Sequence, residues 1–317
     1  MRILSAVLPF AALLHLATAQ DSGARKPAER LLQASDVAAR QQAAQAIDEA
    51  LAADKAKLAQ TKGVVDAAVA QQRLTDLRIV AIAALESLPD GSSADARVAT
   101  AIEQSKQKEQ KDGAAEAASA LRLSLAGLLS DLRFAPVREA ELPKGFPDFL
   151  ALDELEIRDY PAYRMVKAPM KRSGSMGSFW TLFNHIKKNE IAMTTPVQVD
   201  YEKGDERMKE QSMAFLYGDP AIGSVGADGN AEVVDVAAAT VITVGARGYE
   251  RRETVDEMHE RLLHWLAEHA SEYAAAGTMR LMNYNSPSVG GDRRYFEIQI
   301  PVRRIEPKAA PAVEAKN

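Results

Sequence analysis

Apolar residues recur along this chain at two different periods, and the period changes near residue 134. From about Ala28 to Leu132 they are sparse and set among alanine, glutamine and mixed charge. "AARQQAAQAIDEALAADKAKLAQ" is made almost wholly of strong helix formers, with Ile47, Leu51 and Leu58 near helical spacing. "RLTDLRIVAIAALESL" places Leu74, Leu77, Val80, Ile82 and Leu85 as an amphipathic helix would. Pro89, Asp90 and Gly91 then make a turn, and a serine or aspartate of "SSAD" can cap the next helix. "AASALRLSLAGLLSDL" predicts one more helix. Three or four helices in a hairpin or small bundle are expected. Their alanine-rich core is thin, because a buried alanine removes little apolar surface from water. Such a region packs on its neighbour, self-associates, meets a protein partner or serves as a spacer, and no chemistry is visible in it.

"RFAPVREAELPKGFPDF" stops regular structure with three prolines and a glycine. Beyond this linker, taken as 134–150, aromatics appear and β-branched runs alternate. "LEIRDYPAYRMVKA" predicts a strand with a bulge at Pro161. "GSFWTLFNHIKKN" predicts a helix with Phe179, Leu182, Phe183 and Ile186 on one face. "IAMTTPVQVDY" and "SMAFLYG" predict strands. The order then recurs: "AEVVDVAAATVITVGA" as strand, "TVDEMHERLLHWLAEHA" as helix, "TMRLMNYNS" and "YFEIQIPVRRI" as strands. "EIRDYPA" and "EVVDVAA" even share letters. Two β-α-β-β units imply an α+β domain over 151–306, a distorted antiparallel sheet or barrel carrying two helices, with a concave site at the seam.

The ends read differently. Met1-Arg2, the apolar run to Leu16 and "ATA" at 17–19 predict a secretory signal over 1–19, the alternative being an uncleaved anchor. The mature chain, helical over 20–133, is expected to be periplasmic or secreted, with no stable membrane span and a disordered tail at 307–317. The absence of cysteine excludes thiolate catalysis, cysteine-ligated zinc, iron–sulfur clusters and covalent c-type haem attachment. A net charge of −5 argues against nucleic acid. No G-x-S-x-G, H-E-x-x-H or P-loop is present, so no enzyme is expected.

"IAMTTPV", "LEIRDYPAY", and "YNSP" followed by "RRYFEIQIPV" are similar to segments of the SOUL haem-binding proteins, whose duplicated fold the predicted order also matches. The resemblance covers about Ala151 to Glu306. It implies a non-enzymatic module that holds haem or another tetrapyrrole non-covalently against the first helix. The fold also resembles the GyrI-type effector-binding domains, which keeps open a general small-molecule module or a protein-interaction scaffold without haem. One departure is that the link from the helix to "IAMTTPV" is short, polar and free of glycine.

On that resemblance His185 is the candidate iron ligand, since neutral imidazole binds haem iron; the alternative is a solvated surface histidine. Met176, Trp180 and Lys187 form a second stripe on the same helix. Trp180 can stack on a porphyrin and Lys187 or Lys188 meet propionates; equally, Trp180 can pack on other helices while the lysines favour the helix C-terminus. Met193 reads as core filler before it reads as a thioether ligand. The glycines and serines of "KRSGSMGS" present free N–H groups to an anion or cap the helix. Tyr284, Arg293 and Arg294 bind ligand carboxylates or pair with Glu250, Glu253 or solvent. His259, His264 and His269, five apart, do not share a helix face and read as solvated.

Overall fold

The structure is a computed structural model that describes residues 30–33, 35–61, 65–170, 175–204 and 208–306. The signal segment and the C-terminal tail lie outside these residues. Among the described residues no helix is long and apolar enough to cross a membrane.

The N-terminal region is four helices: α1 (Asp36–Gln60), α2 (Ala67–Ser87), α3 (Ser93–Asp112) and α4 (Ala114–Leu132). Asp66 caps α2 by accepting from the Val69 N–H, and Ser92 caps α3 by accepting from Asp95. Leu74, Leu77, Leu121 and Leu125 are buried at the centre, each worth about 1.5–3 kcal/mol. Ala43, Ala81, Ala84, Ala117 and Ala118 are buried between them and let the helices approach closely. Ile82, expected inward, faces solvent with Ile79; the inward row of α2 is Leu74, Leu77, Ala81 and Ala84. Asp54 accepts both hydrogen bonds of a bidentate pair from buried Arg73, at 2.7 and 3.1 Å. Removing one partner of such a pair costs about 3–5 kcal/mol.

The bundle is docked on the second region. Arg40 of α1 pairs with Glu154, both buried, and Glu154 also accepts from the Ser93 N–H at the start of α3. Arg97 and Arg247 meet at Asp131 from opposite sides of the junction.

The second region is a ten-stranded antiparallel sheet carrying two helices. Its elements are β1 (Leu155–Tyr160), β2 (Tyr163–Pro169), α5 (Ser175–Lys188), β3 (Val197–Lys203), β4 (Met208–Leu216), β5 (Gly226–Asp228), β6 (Ala231–Val236), β7 (Ala239–Arg247), α6 (Arg252–Glu268), β8 (Tyr273–Ala275), β9 (Arg280–Asn283) and β10 (Tyr295–Arg304). The strand order is β1-β7-β10-β9-β3-β4-β2-β6-β5, with β8 attached to β10. With β5 aside, exchanging β1 with β6, β2 with β7, β3 with β9 and β4 with β10 reproduces this order reversed.

One expectation is corrected. Each long opening strand is two strands, so the order is β-β-α-β-β. Pro161, which has no N–H to give a ladder, stands in the break, and the pieces diverge: β1 pairs with β7, while β2 pairs with β4 and β6. Of the sheet or barrel expected, the domain is an open sheet. Its ends are managed locally. The three-residue β5 ends one side, and on the other the Leu32 N–H donates to the Leu155 carbonyl.

One face carries the main core under the helices: α5 lies over β2, β4 and β6, and α6 over β7, β8 and β10. The seam β3–β9 lies at the centre of the order. The opposite face buries polar groups, Gln198, Thr243, Arg280, Glu297 and Gln299, and the 134–150 linker packs there through Phe134, Leu142, Phe146 and Phe149.

Candidate functional site

α5 is held to the sheet by Leu182 and Ile186, both buried. Phe179 and Phe183 are half-buried at the rim of the core, with Ile191 and Met193. Met176 and Trp180, one turn apart, face outward and are 61% and 52% exposed. Trp180 meets Phe179 and Phe183 edge-on, with centroids at 5.8 and 5.5 Å. The result is an aromatic platform open to solvent, with Lys187 and Lys188 exposed at the helix C-terminus. Cavities of about 350 and 710 Å³ lie elsewhere, the first between α3 and α4 and the second beside β2, β4 and the β5–β6 turn.

His185 is neither solvated nor free to take iron as the structure stands. It is 7% exposed, with Nδ1 2.6 Å from Asp228 Oδ2 and Nε2 2.7 Å from the Tyr217 hydroxyl. An imidazole offers iron one nitrogen lone pair, and here both nitrogens are engaged. Lys188 Nζ lies 3.2 Å from the other Asp228 oxygen. Hydrogen bonds from His185, then from Lys188, hold the Asp228 carboxyl below its ordinary range. Burial, first of all, pushes the Tyr217 hydroxyl up. The four residues pin the last turn of α5 to β5 and the end of β4. Asp228 and Tyr217 were not singled out from sequence: a turn aspartate in "GADGN" and a tyrosine ending a strand carry no local mark of a partner some forty residues away.

α5 ends without glycine. Glu190 takes the left-handed conformation (φ 55°), and Ile191 N–H reaches back to the Ile186 carbonyl at 2.9 Å, the geometry of a Schellman cap. The short polar link noted in the sequence is this cap. The segment that follows is not strand as expected. Residues 191–196 are irregular and end in a cis Thr195–Pro196 bond. Thr194 donates to the Leu216 carbonyl and Thr195 to the Ala140 carbonyl. Met193 packs at the core's edge. Ahead of α5, Lys171–Gly174 lie outside the described residues, and the Ser178 hydroxyl donates to the Pro169 carbonyl at 2.9 Å.

Tyr284, Arg293 and Arg294 do not join the α5 surface. Tyr284 is buried in a separate cluster with Met282 and Tyr295. Arg294 is buried and pairs with Glu250 at 2.8 Å, while Arg293 is exposed in a short 3-10 turn. Only α5 itself brings Met176, Trp180, Lys187 and Lys188 together. His269 stacks on Trp265 at 4.1 Å, and no group of residues able to hold a metal ion is present among the described residues.

The domain is thus an α+β sheet with an aromatic platform open to solvent on α5. Residues 147–301 match the model of the SOUL heme-binding protein family. No curated protein matches the chain. Among solved structures, the EcmrR C-terminal domain is 16% identical, covering 48% of this chain and 98% of its own, with a TM-score of 0.35. SAV2435 bound to tetraphenylphosphonium is 12% identical, covering 47% and 94%, with a TM-score of 0.32. A hydrolase from Listeria innocua is 9% identical, covering 48% and 93%, with a TM-score of 0.36. Likeness at this level carries no argument about what the chain binds.

Proposed function

We propose that this domain binds haem or a related tetrapyrrole non-covalently on the exposed face of α5, without catalysis. The observation that carries the reading is Trp180, a large aromatic left half in water beside Phe179, Phe183 and Met176. Covering the exposed part of its ring, about 100 Å², is worth about 2 kcal/mol. Lys187 and Lys188 supply charge for propionates. His185 is committed to Asp228 and Tyr217, so apolar contact, not iron coordination by this histidine, is the main hold. An iron-free porphyrin is then expected to bind about as well as haem.

Titration of the purified chain with haem tests this. A Soret shift with saturable quenching of tryptophan emission is expected, weakened roughly thirtyfold by Trp180→Ala. His185→Ala should leave the Soret position unchanged. Absence of both the shift and the quenching would remove the reading. We also infer that the chain is exported through its 1–19 leader to the periplasm or medium. N-terminal sequencing of the mature protein should begin near Gln20.

A further inference from the structure

We propose a second ligand site on the opposite face of the sheet, built for an aromatic carboxylate and filled in this structure by the chain's own Phe146. The proposal rests on Arg280, on its surroundings, and on the segment that covers them.

Arg280 is 6% exposed. Its Nε donates to Gln299 and its Nη1 to the Tyr163 hydroxyl, at 2.9 and 3.1 Å. Its Nη2 is buried with no hydrogen-bond partner, and no carboxylate forms an ion pair with it among the described residues. A buried cation without a counter-charge is costly. Neither neighbouring acid relieves it: Asp200, opposite Arg280 in the β3–β9 register, accepts from Gln198 at 2.6 Å and from Ser212 at 2.8 Å and forms no ion pair with Arg280. Glu297, fully buried, accepts from Tyr295 at 2.9 Å, Gln299 at 2.9 Å and Tyr160 at 3.3 Å, and Arg158 lies 3.7 Å away. Its acceptor capacity is spent. The unspent polar atom in this cluster is a donor, so the missing partner is an anion.

The surroundings are aromatic. Phe146 stands edge-on to Tyr160 and Tyr163, with centroids at 5.0 and 5.2 Å. The Arg280 guanidinium sits 5.6 Å from the Tyr160 ring centre. The two tyrosines beside Arg280 are therefore the two that hold the Phe146 ring. A flat ring carrying a carboxylate reproduces the Phe146 contacts and adds the charge Arg280 lacks.

The covering turn is held to the sheet by one backbone hydrogen bond, by the Lys144 Nζ–Asp219 pair at 3.2 Å and by the Phe146 ring. Phe146 is only half-buried and lies in a turn closed by its own N–H on the Pro143 carbonyl. Pro143 and Pro147 have no N–H to offer the sheet. Between them the Lys144 N–H on the Gly218 carbonyl, at 2.9 Å, ties the turn's backbone to the sheet. Gly145 has φ 79°, a conformation that lets the turn reverse tightly. Swinging this turn away opens the Tyr160–Tyr163 cradle over Arg280.

The test uses the full chain, 2-naphthoate and the uncharged 2-naphthamide. Calorimetry should show saturable naphthoate binding, weaker for the amide by about tenfold or more. Phe146→Ala should tighten naphthoate binding, and Arg280→Gln should weaken it by about tenfold or more. Hydrogen exchange on the unsubstituted chain should show loss of protection at 143–150 when naphthoate binds, an arm that does not depend on a variant folding. Equal binding of acid and amide, insensitivity to Arg280→Gln, or unchanged exchange at 143–150 would each overturn the proposal. Haem titration of Arg280→Gln should match the parent chain, so failure here is separable from failure at α5.

Discussion

α5 and α6 take equivalent places in a symmetric strand order, yet they spend their tryptophans differently. α6 turns Val255, Met258, Leu262 and Trp265 into the core, and Trp265 is 1% exposed. α5 buries Leu182 and Ile186 and leaves Trp180 and Met176 outside. α6 seals a sheet. α5 seals its half with fewer residues and keeps an aromatic surface in reserve. Of the two tryptophans only the one on α5 stays at the surface; the large apolar side chain that α6 leaves outside is Leu263.

The largest test of this contrast exchanges each tryptophan for alanine. Trp265→Ala should cost about 3–5 kcal/mol, as expected for a large aromatic removed from a core. Trp180→Ala should cost less than about 1 kcal/mol while weakening tetrapyrrole binding. Chemical denaturation alongside haem titration reads both. Equal destabilisation would make α5 an ordinary core helix and end the comparison.

A smaller effect sits at the end of α5. Glu190 occupies a left-handed position at φ 55°, which costs a residue with a Cβ about 1 kcal/mol. Glu190→Gly should raise stability by up to about 1 kcal/mol, less the glycine's extra freedom when unfolded, visible as a raised Tm with haem affinity unchanged. A lowered Tm would mean that the glutamate side chain matters more than its backbone.

The smallest effect is in acid. The Asp228 carboxyl lies below its ordinary 3.8, first because His185 hydrogen-bonds to it and then because Lys188 does. A depressed carboxyl stabilises the fold fully above its unfolded pKa, and that contribution is lost as pH falls through the lower folded value. The stability gap between the parent chain and Asp228→Asn should therefore be open at neutral pH and close below about pH 3.8. A gap that persists in acid would assign it to packing instead of charge. At the end of α6, His269 Nδ1 instead meets the Trp265 carbonyl at 2.9 Å.

Much of the sheet was legible because burial on one or both faces imposes a period of two. "YFEIQIPV" shows it best: Phe296, Ile298 and Ile300 line the helix face, while Tyr295, Glu297 and Gln299 line the other. That polar row, set between apolar residues in the closing strand, marks the buried polar face. The divergence of β1 from β2 was half legible, since Pro161 marked the break without saying where each piece would pair. The inward face of α2 was misread at Ile82, because alanines, not the largest side chains, fill the narrow space against α4.

Local chemistry in the chain settled what local chemistry governs: helix formers and caps in the first region, alternation in the second, and the segments that resemble the SOUL family. Tertiary structure alone decided that His185 spends its nitrogens on Asp228 and Tyr217, that Trp180 stays outside while Trp265 goes in, and that Phe146 packs on the Tyr160 and Tyr163 rings. These are contacts between residues well separated along the chain. Backbone periodicity tells a side chain which face it lies on, but only the assembled sheet brings its partner to that face.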